Sequence, residues 1–337
     1  MAKHSKALIF VDDDLPGITR RKSGHGWAYC DAKGERITDR AEIDRLNAIA
    51  LPPAYTDAWF CPAPNGHILA TGVDARGRKQ YRYHPDFRVA RESEKFDGCL
   101  SFGKLLPLVR RRVESDLTTR GMGRDKAIAS VVRLLDLGAL RIGNESYARA
   151  NRSFGATTLR NRHAAVSGSK VLLKYRGKHG KLHEVTFTDK RLAATVRKMQ
   201  DLPGQHLFQW LDDDAQCHEV NSTCVNQWLA ETMGEPFTAK NFRTWHASVM
   251  GFRLLAGADG KVPLKSLLED VAAHLGNTPA VTRKAYVHPA VIALVGEQEE
   301  WRESLQLPRA TRWLDRYERG LLAHLEEAPA ARELLVA

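Results

Sequence analysis

KVLLKYRGKHGKLHEVTF, residues 170–187, is a strand-like stretch that interrupts a long region of helical apolar spacing. Its two arms, 171–175 and 183–187, flank the turn GKHGK at 177–181, and this pattern predicts a β-hairpin. Before and after it, apolar residues recur three or four positions apart, as on one face of a helix. Residues 98–337 are therefore predicted to form a mostly α-helical domain that contains one hairpin.

The N-terminal part has a different pattern, with short extended segments separated by glycine and proline. HILATGVDARGRKQYRYHP, residues 67–85, is predicted to be another hairpin, and Asp39 to Ile49 a short helix. Residues 1–90 are thus predicted to form a small, mostly β lobe, followed by a linker at RESEKFD, residues 91–97. The fold class predicted for the chain is α+β, with two domains, in line with roughly 150 residues per domain.

The composition is that of a globular protein with a basic balance. Of the 337 residues, 43% are hydrophobic and 27% charged, which is enough for a core and too little charge for a disordered chain. The formal net charge of +11 favours an anionic partner. Nucleic acid is the commonest such partner, because Lys and Arg bind its phosphates and release counterions.

Motifs for metals and nucleotides are absent from the sequence. The five cysteines form no CxxC pair, and the cluster of Cys217, His218 and Cys224 lacks a fourth ligand at zinc spacing. No P-loop, dinucleotide-binding, HExxH or GxSxG motif occurs. The acidic runs at 12–14 and 212–214 are consecutive residues, whereas two-metal sites draw carboxylates from separate elements. We therefore expect neither a metal nor another cofactor.

Apolar runs are short throughout the chain. The N-terminal MAKHSKALIFVDDD lacks the apolar region of a signal peptide, and no run of about 18 apolar residues occurs. We expect a chain without a membrane span or membrane partner. It is expected to be a cytoplasmic, nucleoid-associated monomer in a reducing compartment.

Basic residues cluster in RGRKQYRYHPDFRVAR, residues 76–91, where six Arg or Lys accompany one Asp. Tyr81, Tyr83 and Phe87 lie among them. Interleaved cations and rings suit a nucleic-acid surface, because cations meet phosphates and rings meet sugars and bases. A solvated hairpin with its tyrosines packed into a core explains the same pattern. The run RRR at 110–112 is interpreted as the solvated face of an amphipathic helix.

Four side chains remain as candidates for chemistry. They are Arg141 in RIGNESY, Lys178 in the hairpin turn, Arg243 in KNFRTWHAS and Tyr286 in LGNTPAVTRKAYVHP. Taken singly, each has a structural explanation as well. Arg141 could cap a helix end, Lys178 could be a solvated turn lysine, and Tyr286 could be a packed helix aromatic.

The set and its surroundings resemble the active site of the type IB DNA topoisomerases, most closely the compact poxvirus and bacterial branch. The stretches that carry the resemblance are GVDARGRKQYRYHP, LRIGNESY, FGATTLRNRH, RGKHGK, FRTWHAS and LGNTPAVTRKAYVHP. Their order, spacing and flanking residues all look like that family, over roughly residues 8–310.

The resemblance implies a role for each candidate. Tyr286 would attack a backbone phosphate and form a 3′-phosphotyrosyl bond. Arg141 and Arg243 would bind the non-bridging oxygens, and Lys178 would protonate the leaving 5′ oxygen. Asn277 occupies the place where many relatives carry histidine. The implied activity is relaxation of supercoiled DNA through cleavage of one strand, without ATP or metal.

Double-stranded DNA is the partner that the resemblance implies, gripped between the two lobes as in a clamp. Gln80, Tyr81 and Tyr83 match family positions that face DNA. Further expected DNA contacts are Arg78, Lys79, Asn144 and Tyr147.

The residue types suit a phosphodiester transfer on chemical grounds as well. Charge builds up on the non-bridging oxygens in the transition state, and a planar guanidinium stabilises two such oxygens at once. A cationic pocket favours the ionised form of tyrosine, whose ordinary pKa is near 10. A lysine near other cations can act as the acid for the leaving alkoxide. The covalent intermediate conserves the bond energy, so religation needs no ATP.

Asn277 is the departure from the family pattern. Asparagine can donate a hydrogen bond but carries neither charge nor a transferable proton. Nine residues separate it from Tyr286, about two and a half helical turns, so one straight helix would put the two on opposite faces. Both reach one phosphate only if Asn277 lies on a loop or the helix is interrupted. Alternatively, Asn277 before Thr278 and Pro279 is a helix N-cap.

Three other functions stay open at this point. A tyrosine recombinase uses the same chemistry but usually has HxxR at the second arginine, where this chain has Lys240. A non-catalytic DNA-binding protein of the same fold is favoured only by Asn277. An RNA-binding module rests on charge alone, because no RNP1-like strand is present.

Overall fold

An antiparallel sheet of five strands organises the N-terminal part of the computed structural model, which describes residues 7–336. The strands are β1 (Ile18–Ser23), β2 (Gly26–Cys30), β3 (Thr56–Phe60), β4 (Ile68–Val73) and β5 (Lys79–Tyr83). Their order is β2-β1-β3-β4-β5, so β5 is an edge strand and pairs with β4 as the predicted hairpin. Helix α1 (Arg40–Ala48) begins at Asp39, whose carboxylate accepts a hydrogen bond from the N–H of Ala41. The mostly β lobe predicted from the sequence is confirmed.

A small apolar core lies beneath this sheet. Phe60 and Leu46 are buried at its centre, and the ring of Tyr29 meets that of Phe60 edge to face at 5.4 Å. The guanidinium of Arg20 lies 4.3 Å from the Trp27 ring and donates to the carbonyl of Leu51 at 2.8 Å. The sheet therefore has its own core and forms one unit, which ends at Glu94.

Residues 91–97, expected to form a linker, lie inside the helix α2 (Pro85–Thr118), and the second unit begins among them at Lys95. The polar composition predicted a break, but the charges are spaced for a helix. Arg91 and Glu94 form an ion pair of 3.3 Å at i,i+3 spacing, and Phe96 is buried.

The second unit is mostly helical, as predicted. After α2 its helices are α3 (Arg124–Gly138), α4 (Glu145–Asn151), α5 (Lys190–Gln200), α6 (Ser222–Met233), α7 (Ala239–Ala256), α8 (Leu264–Leu275), α9 (Pro279–Ala285), α10 (Pro289–Ser304), α11 (Arg316–Glu327) and α12 (Ala331–Val336). Their apolar faces share one core, in which Ile128 of α3 and Trp245 of α7 are fully buried. Full burial of a side chain of this kind contributes about 1.5–3 kcal/mol.

Two small sheets interrupt the helices of this unit. The larger has the order β6 (Ala164–Ser167), β7 (Lys170–Arg176) and β8 (Leu182–Thr188), all antiparallel. Strands β7 and β8 form the hairpin expected over 170–187, and Tyr175 pairs with His183 next to its turn. The smaller sheet pairs β9 (Gln209–Leu211) with β10 (Cys217–Glu219).

Arg110 corrects the interpretation of RRR at 110–112 as a solvated face. Its guanidinium donates two hydrogen bonds of 2.9 Å to Asp136 and bonds of 2.7 and 2.8 Å to Glu318. Its side chain is only 15% exposed, so it is an interior cation held by two carboxylates. The carboxylates are distant in sequence, which is why local pattern did not reveal them. No helix within residues 7–336 has both the length and the apolar character needed to cross a membrane.

Candidate active site

Four of the five candidate catalytic side chains meet in the second unit. Arg141 donates from Nη1 to the hydroxyl of Tyr286 at 3.4 Å and from Nη2 to Oδ1 of Asn277 at 2.6 Å. The Cζ atom of Arg243 lies 4.9 Å from the centre of the Tyr286 ring. Tyr286 thus lies beside two guanidinium groups, and one of these also holds the carboxamide of Asn277.

Tyr286 is held at the end of α9, where the helical conformation stops. Its N–H donates to the carbonyl of Thr282 at 3.0 Å, and its own carbonyl accepts from the hydroxyl of Ser248 at 3.3 Å. Only 6% of the residue is exposed. The backbone of Tyr286 is therefore fixed on both sides of the peptide unit, and its side chain is buried.

Asn277 lies on a sharp corner between two helices. Helix α8 ends at Leu275, and Gly276 takes a left-handed conformation with φ of 66°, which glycine adopts without steric cost. The N–H of Asn277 then donates to the carbonyl of Ala272 at 2.9 Å. The N-cap of α9 is Thr278, whose hydroxyl accepts from Val281, so the alternative interpretation of Asn277 as the N-cap is wrong. The interruption lets Asn277 and Tyr286 face the same point.

Arg141 is positioned by two segments that pack backbone against backbone. Its carbonyl accepts from the N–H of Ala156 at 2.8 Å, and that of Ile142 accepts from Thr157 at 2.8 Å. A β-carbon added at Gly155 would lie 2.6 Å from the carbonyl oxygen of Arg141, so only glycine permits this approach. The FGATT stretch therefore fixes the Arg141 backbone.

Arg243 is 4% exposed on α7 and is held by backbone carbonyls. One nitrogen donates to Leu275 at 2.9 Å and another to Ala139. These bonds join the ends of α8 and α3 and place the guanidinium against Tyr286.

The charges around Tyr286 change its acidity. Burial acts to raise the pKa of Tyr286, but the positive charges of Arg243 and Arg141 outweigh it, and the pKa lies below its ordinary value. The site therefore makes this side chain easier to ionise than an ordinary tyrosine.

Lys178 is the candidate that the structure does not bring to the others. It lies in the turn between β7 and β8, exposed to solvent. Among the residues described, none forms a hydrogen bond or ion pair with its ammonium group. The turn is closed by a hydrogen bond of 2.8 Å from Gly177 to Lys181 and contains His179 at φ of 62°.

Two basic candidates for DNA contact lie in the first unit, Arg78 just before β5 and Lys79 at its start. Both bond to carboxylates. Arg78 donates to Asp74 at 2.7 and 2.9 Å, and these bonds lower the pKa of Asp74 to about 2. Gln80 also donates to Asp74, at 3.0 Å. Lys79 forms ion pairs with Asp13 at 2.8 Å and Asp14 at 3.3 Å. Sequence reasoning missed Asp13 and Asp14 as partners of Lys79, because they are remote in the chain.

Tyr81 and Tyr83 are exposed on one face of the edge strand β5. Their rings stack at 5.7 Å with 9° between the planes, and each residue is about two-fifths exposed, at 41% and 39%. They are not packed into a core, so the alternative explanation of the pattern, a hairpin with buried tyrosines, is wrong for these two residues. Gln80 directly precedes Tyr81 in the strand, so its side chain points to the opposite face.

Asn144 and Tyr147 lie at the start of α4. The Asn144 side chain caps the helix by accepting from the N–H of Tyr147 at 3.2 Å, which gives it a structural role. Tyr147 is 56% exposed.

The Cys217, His218 and Cys224 cluster does not come together as a metal site. His218 bonds to Asp212 at 2.6 Å, Cys217 donates to Gln209 at 3.3 Å, and Cys224 lies on α6. Elsewhere in the described chain, Glu145, His206 and Glu219 approach one another closely. Arg160 enters that group with a 2.7 Å bond to Glu145, so a cation is already present.

Two family models match the chain. The model described as "Eukaryotic DNA topoisomerase I, catalytic core" matches residues 84–305, which is more than half of the chain. The model described as "Bacterial DNA topoisomerase IB, N-terminal domain" matches residues 26–74. The chain belongs to the type IB DNA topoisomerases. Members of this family are isomerases, and DNA topoisomerase is the enzyme class of this chain.

Two viral proteins named DNA topoisomerase 1B align with most of this chain. This type IB topoisomerase is 29% identical over 301 residues to the DNA topoisomerase 1B of Acanthamoeba polyphaga mimivirus, with 85% of this chain and 90% of the viral protein covered. It is 22% identical over 238 residues to the DNA topoisomerase 1B of vaccinia virus (strain Copenhagen), with 68% and 73% covered. The expected resemblance is thereby confirmed at the level of the family.

Proposed function

We propose that this type IB topoisomerase relaxes supercoiled duplex DNA by cutting one strand with Tyr286, letting it swivel and resealing it. The observation that carries the proposal is the buried Tyr286 hydroxyl between the guanidinium groups of Arg141 and Arg243. Tyrosine with a lowered pKa is a nucleophile suited to a phosphodiester.

In the cleavage step, Oη of Tyr286 attacks the phosphorus and the bond from phosphorus to the 5′ oxygen breaks. The hydroxyl proton is lost, the strand end becomes a 3′-phosphotyrosyl ester, and the 5′ oxygen leaves as a hydroxyl. Resealing is the reverse attack by that 5′ hydroxyl on the ester. Each step exchanges one phosphate ester bond for another, so the cycle needs no ATP. We propose that it needs no metal either, because the two arginines supply the positive charge that stabilises the phosphate oxygens.

Arg141 and Arg243 are proposed to bind the non-bridging oxygens of the phosphate. Both are anchored through other bonds, Arg243 by two backbone carbonyls and Arg141 by Asn277 and its own backbone. Groups fixed in advance stabilise developing charge without reorganising during the reaction, and loss of one such donor typically costs about 10²–10³ in rate.

Asn277 is proposed to donate a hydrogen bond to the same phosphate. Its Oδ1 accepts from Arg141, which leaves Nδ2 as the free end of the amide. Nδ2 is buried and has no partner among the described residues. A buried donor without a partner is costly unless a ligand satisfies it, and a phosphate oxygen would do so.

Lys178 is proposed as the acid that protonates the leaving 5′ oxygen. In the DNA-free protein its ammonium group is exposed on the hairpin turn and has no bonding partner among the described residues. The proposal therefore requires DNA to bring the turn to the scissile phosphate, or the turn to move when DNA binds.

Double-stranded DNA is proposed to contact the exposed tyrosines of β5, together with Arg78 and Lys79. Tyr147 is proposed as a further contact in the second unit. Stacked, exposed rings beside cations are suited to sugars and phosphates. An enzyme that works on chromosomal DNA would be associated with the nucleoid, and we propose that it acts as a monomer.

The residue three before Arg243 is the exposed Lys240 rather than the histidine usual in tyrosine recombinases. The match of residues 26–74 to a topoisomerase N-terminal domain also supports relaxation over recombination.

Trapping the covalent intermediate tests the proposal. DNA fragments labelled at the 5′ end or the 3′ end are incubated with the protein in EDTA, without ATP, and the reaction is stopped with denaturant. The 5′ label should become attached to protein, and peptide mapping should place the adduct on Tyr286. Attachment of the 3′ label, or an adduct on another residue, would overturn it.

A further inference from the structure

The imidazole of His183 lies between two glycines, each of which directly precedes a proposed catalytic residue. A β-carbon added at Gly177, before Lys178, would lie 2.7 Å from Cδ2 and Nε2 of His183. One added at Gly276, before Asn277, would lie 2.5 Å from Cε1. The ring therefore fills the space between the hairpin turn and the Asn277 corner.

The imidazole ring of His183 also packs against its own hairpin. His183 pairs with Tyr175 across β7 and β8, and the two rings stack at 5.1 Å with 11° between their planes. Tyr175 is buried, so it provides a rigid base for the imidazole. Within residues 7–336 neither nitrogen of His183 forms a hydrogen bond. The contact therefore consists of packing rather than polar bonds.

We propose that His183 is a positioning residue that sets the place of the Lys178 turn relative to Asn277, so that both address the same phosphodiester. The proposal rests on the proposed function, because it takes Lys178 as the acid and Asn277 as a phosphate donor. The side chain of Lys178 forms no bond with the described residues. Its position therefore depends on the backbone of the turn, which the His183 ring contacts at Gly177.

A DNA substrate with a different leaving group can show whether His183 positions the acid Lys178 or supports the whole active site. An alkoxide must be protonated as it leaves, whereas a thiolate leaves readily, since thiols have pKa values near 8.5. A duplex with sulfur in place of the bridging 5′ oxygen therefore does not require the acid. A variant in which only the acid is misplaced should cleave this duplex normally.

The experiment measures single-turnover cleavage at a mapped site on matched duplexes with 5′ oxygen or 5′ sulfur. His183→Ala should slow cleavage of the oxygen duplex by about tenfold or more, because small misplacements of catalytic groups can cost up to 10²-fold. Cleavage of the sulfur duplex should stay close to that of the wild type. His183→Phe, which keeps a stacked ring, should restore most of the loss on the oxygen duplex.

Lys178→Ala and Arg243→Ala are the reference variants. Sulfur should rescue Lys178→Ala and leave Arg243→Ala slow, because the arginine acts on the non-bridging oxygens. If sulfur rescues Lys178→Ala but not His183→Ala, the His183 proposal is overturned and the proposed function stands. Failure to rescue Lys178→Ala overturns the role of Lys178 and the His183 proposal with it.

A second variant covers the case in which His183→Ala does not fold, as checked by thermal unfolding. Gly177→Ala would displace the ring from the turn side, where the new methyl group meets Nε2. It should show the same pattern, slow with oxygen and normal with sulfur. Equal slowing of both duplexes would overturn the proposal.

A second inference has independent support in an open cleft of about 450 Å³ beside α4. Arg149, Arg152, Arg160 and Arg162 line it. Glu145 pairs with two of them, Arg149 at 3.3 Å and Arg160 at 2.7 Å. Arg152 and Arg162 form no ion pair with any residue of the described chain. The cleft therefore has an excess of positive charge.

We infer that this cleft binds a backbone phosphate of DNA outside the scissile position. The exposed Tyr147, proposed as a DNA contact, lies on the same short helix, and Arg152 follows the end of that helix. Paired arginines in the cleft are oriented by Glu145, and the two unpaired ones supply the charge. The inference rests on the proposed function, since it takes duplex DNA as the ligand.

The test measures the affinity of Tyr286→Phe protein for a short duplex between 50 and 200 mM salt. Arg152→Gln and Arg162→Gln, made in that background, should each make the plot of log affinity against log salt shallower by about 0.9. Arg111→Gln, which removes an exposed arginine on α2, is the matched control and should leave the slope unchanged. Slopes equal to that of the parent would overturn the inference, and absence of duplex binding by the parent would overturn the proposed function as well.

Discussion

Arg141 donates a hydrogen bond of 2.6 Å from Nη2 to Oδ1 of Asn277. Arginine has only donors, so the oxygen of the carboxamide must face it and the NH₂ group must face away. That NH₂ group is buried without a partner among the described residues. One arginine thus both lies against Tyr286 and orients the amide donor of Asn277.

Asn277→Ala is predicted to slow single-turnover cleavage by about 10²-fold, the effect of losing one fixed donor to a transition-state oxygen. Asn277→Asp should be at least as slow, because it keeps the acceptor for Arg141 but places a negative charge beside the phosphate. Asn277→His offers an N–H donor again and serves as the control. Cleavage by Asn277→Ala at the wild-type rate would show that the amide donor is dispensable.

The pH dependence of cleavage should reflect the lowered pKa of Tyr286. Tyrosinate is the reactive form, so the rate should rise with pH and reach half its maximum below pH 10, the ordinary pKa of tyrosine. Arg141→Gln removes a positive charge and should move the half-maximal rate to higher pH. The 5′-sulfur duplex is the substrate for this measurement, because its leaving group requires no acid. A midpoint that Arg141→Gln leaves in place would contradict the electrostatic explanation.

Lys79 is a proposed DNA contact whose ammonium group pairs with Asp13 and Asp14 in the free protein, so these carboxylates are predicted to compete with DNA for it. Changing both to Asn should tighten duplex binding about twofold at low salt, in keeping with the small effect of exposed pairs. The gain should shrink as salt rises, since exposed charges are screened. The same pair of changes in a Lys79→Gln background is the control and should have little effect. An equal gain in that background would mean that Lys79 is not the group involved.

Asp136→Asn should destabilise the second unit by about 3–5 kcal/mol, the usual cost of breaking a buried ion pair. Burial acts to raise the pKa of Asp136, but Arg110 and His246 hold it far below its ordinary value. The carboxylate therefore stabilises the fold above its unfolded pKa of about 3.9, and this contribution is lost as the pH falls below that value. Unfolding in urea at pH 7 and pH 3 measures both effects.

Glu326→Gln is the matched control for that measurement. It breaks an exposed pair with Lys104 of 2.7 Å in the same unit and should change stability much less. A difference between wild type and Asp136→Asn that stays constant down to pH 3 would contradict the assigned role of the pair.

The candidate site was assembled from sequence through the family resemblance of its motifs, and the structure places Arg141, Arg243, Asn277 and Tyr286 close together. The hairpin around Lys178 follows from strand patterning, and the spacing of Asn277 and Tyr286 required the interruption that Gly276 provides. What sequence could not reveal depends on distant segments meeting. His183 gains its place from Gly276, which is remote in the chain, and Arg110 gains its partner Glu318 from α11.

The most direct test of Tyr286 as the nucleophile is relaxation of a supercoiled plasmid in EDTA without ATP, by wild type and by Tyr286→Phe. The wild type should relax the plasmid, and Tyr286→Phe should bind it with unchanged affinity and leave it supercoiled. Relaxation by Tyr286→Phe would contradict the role of Tyr286, and failure of the wild type would contradict metal-independent cleavage.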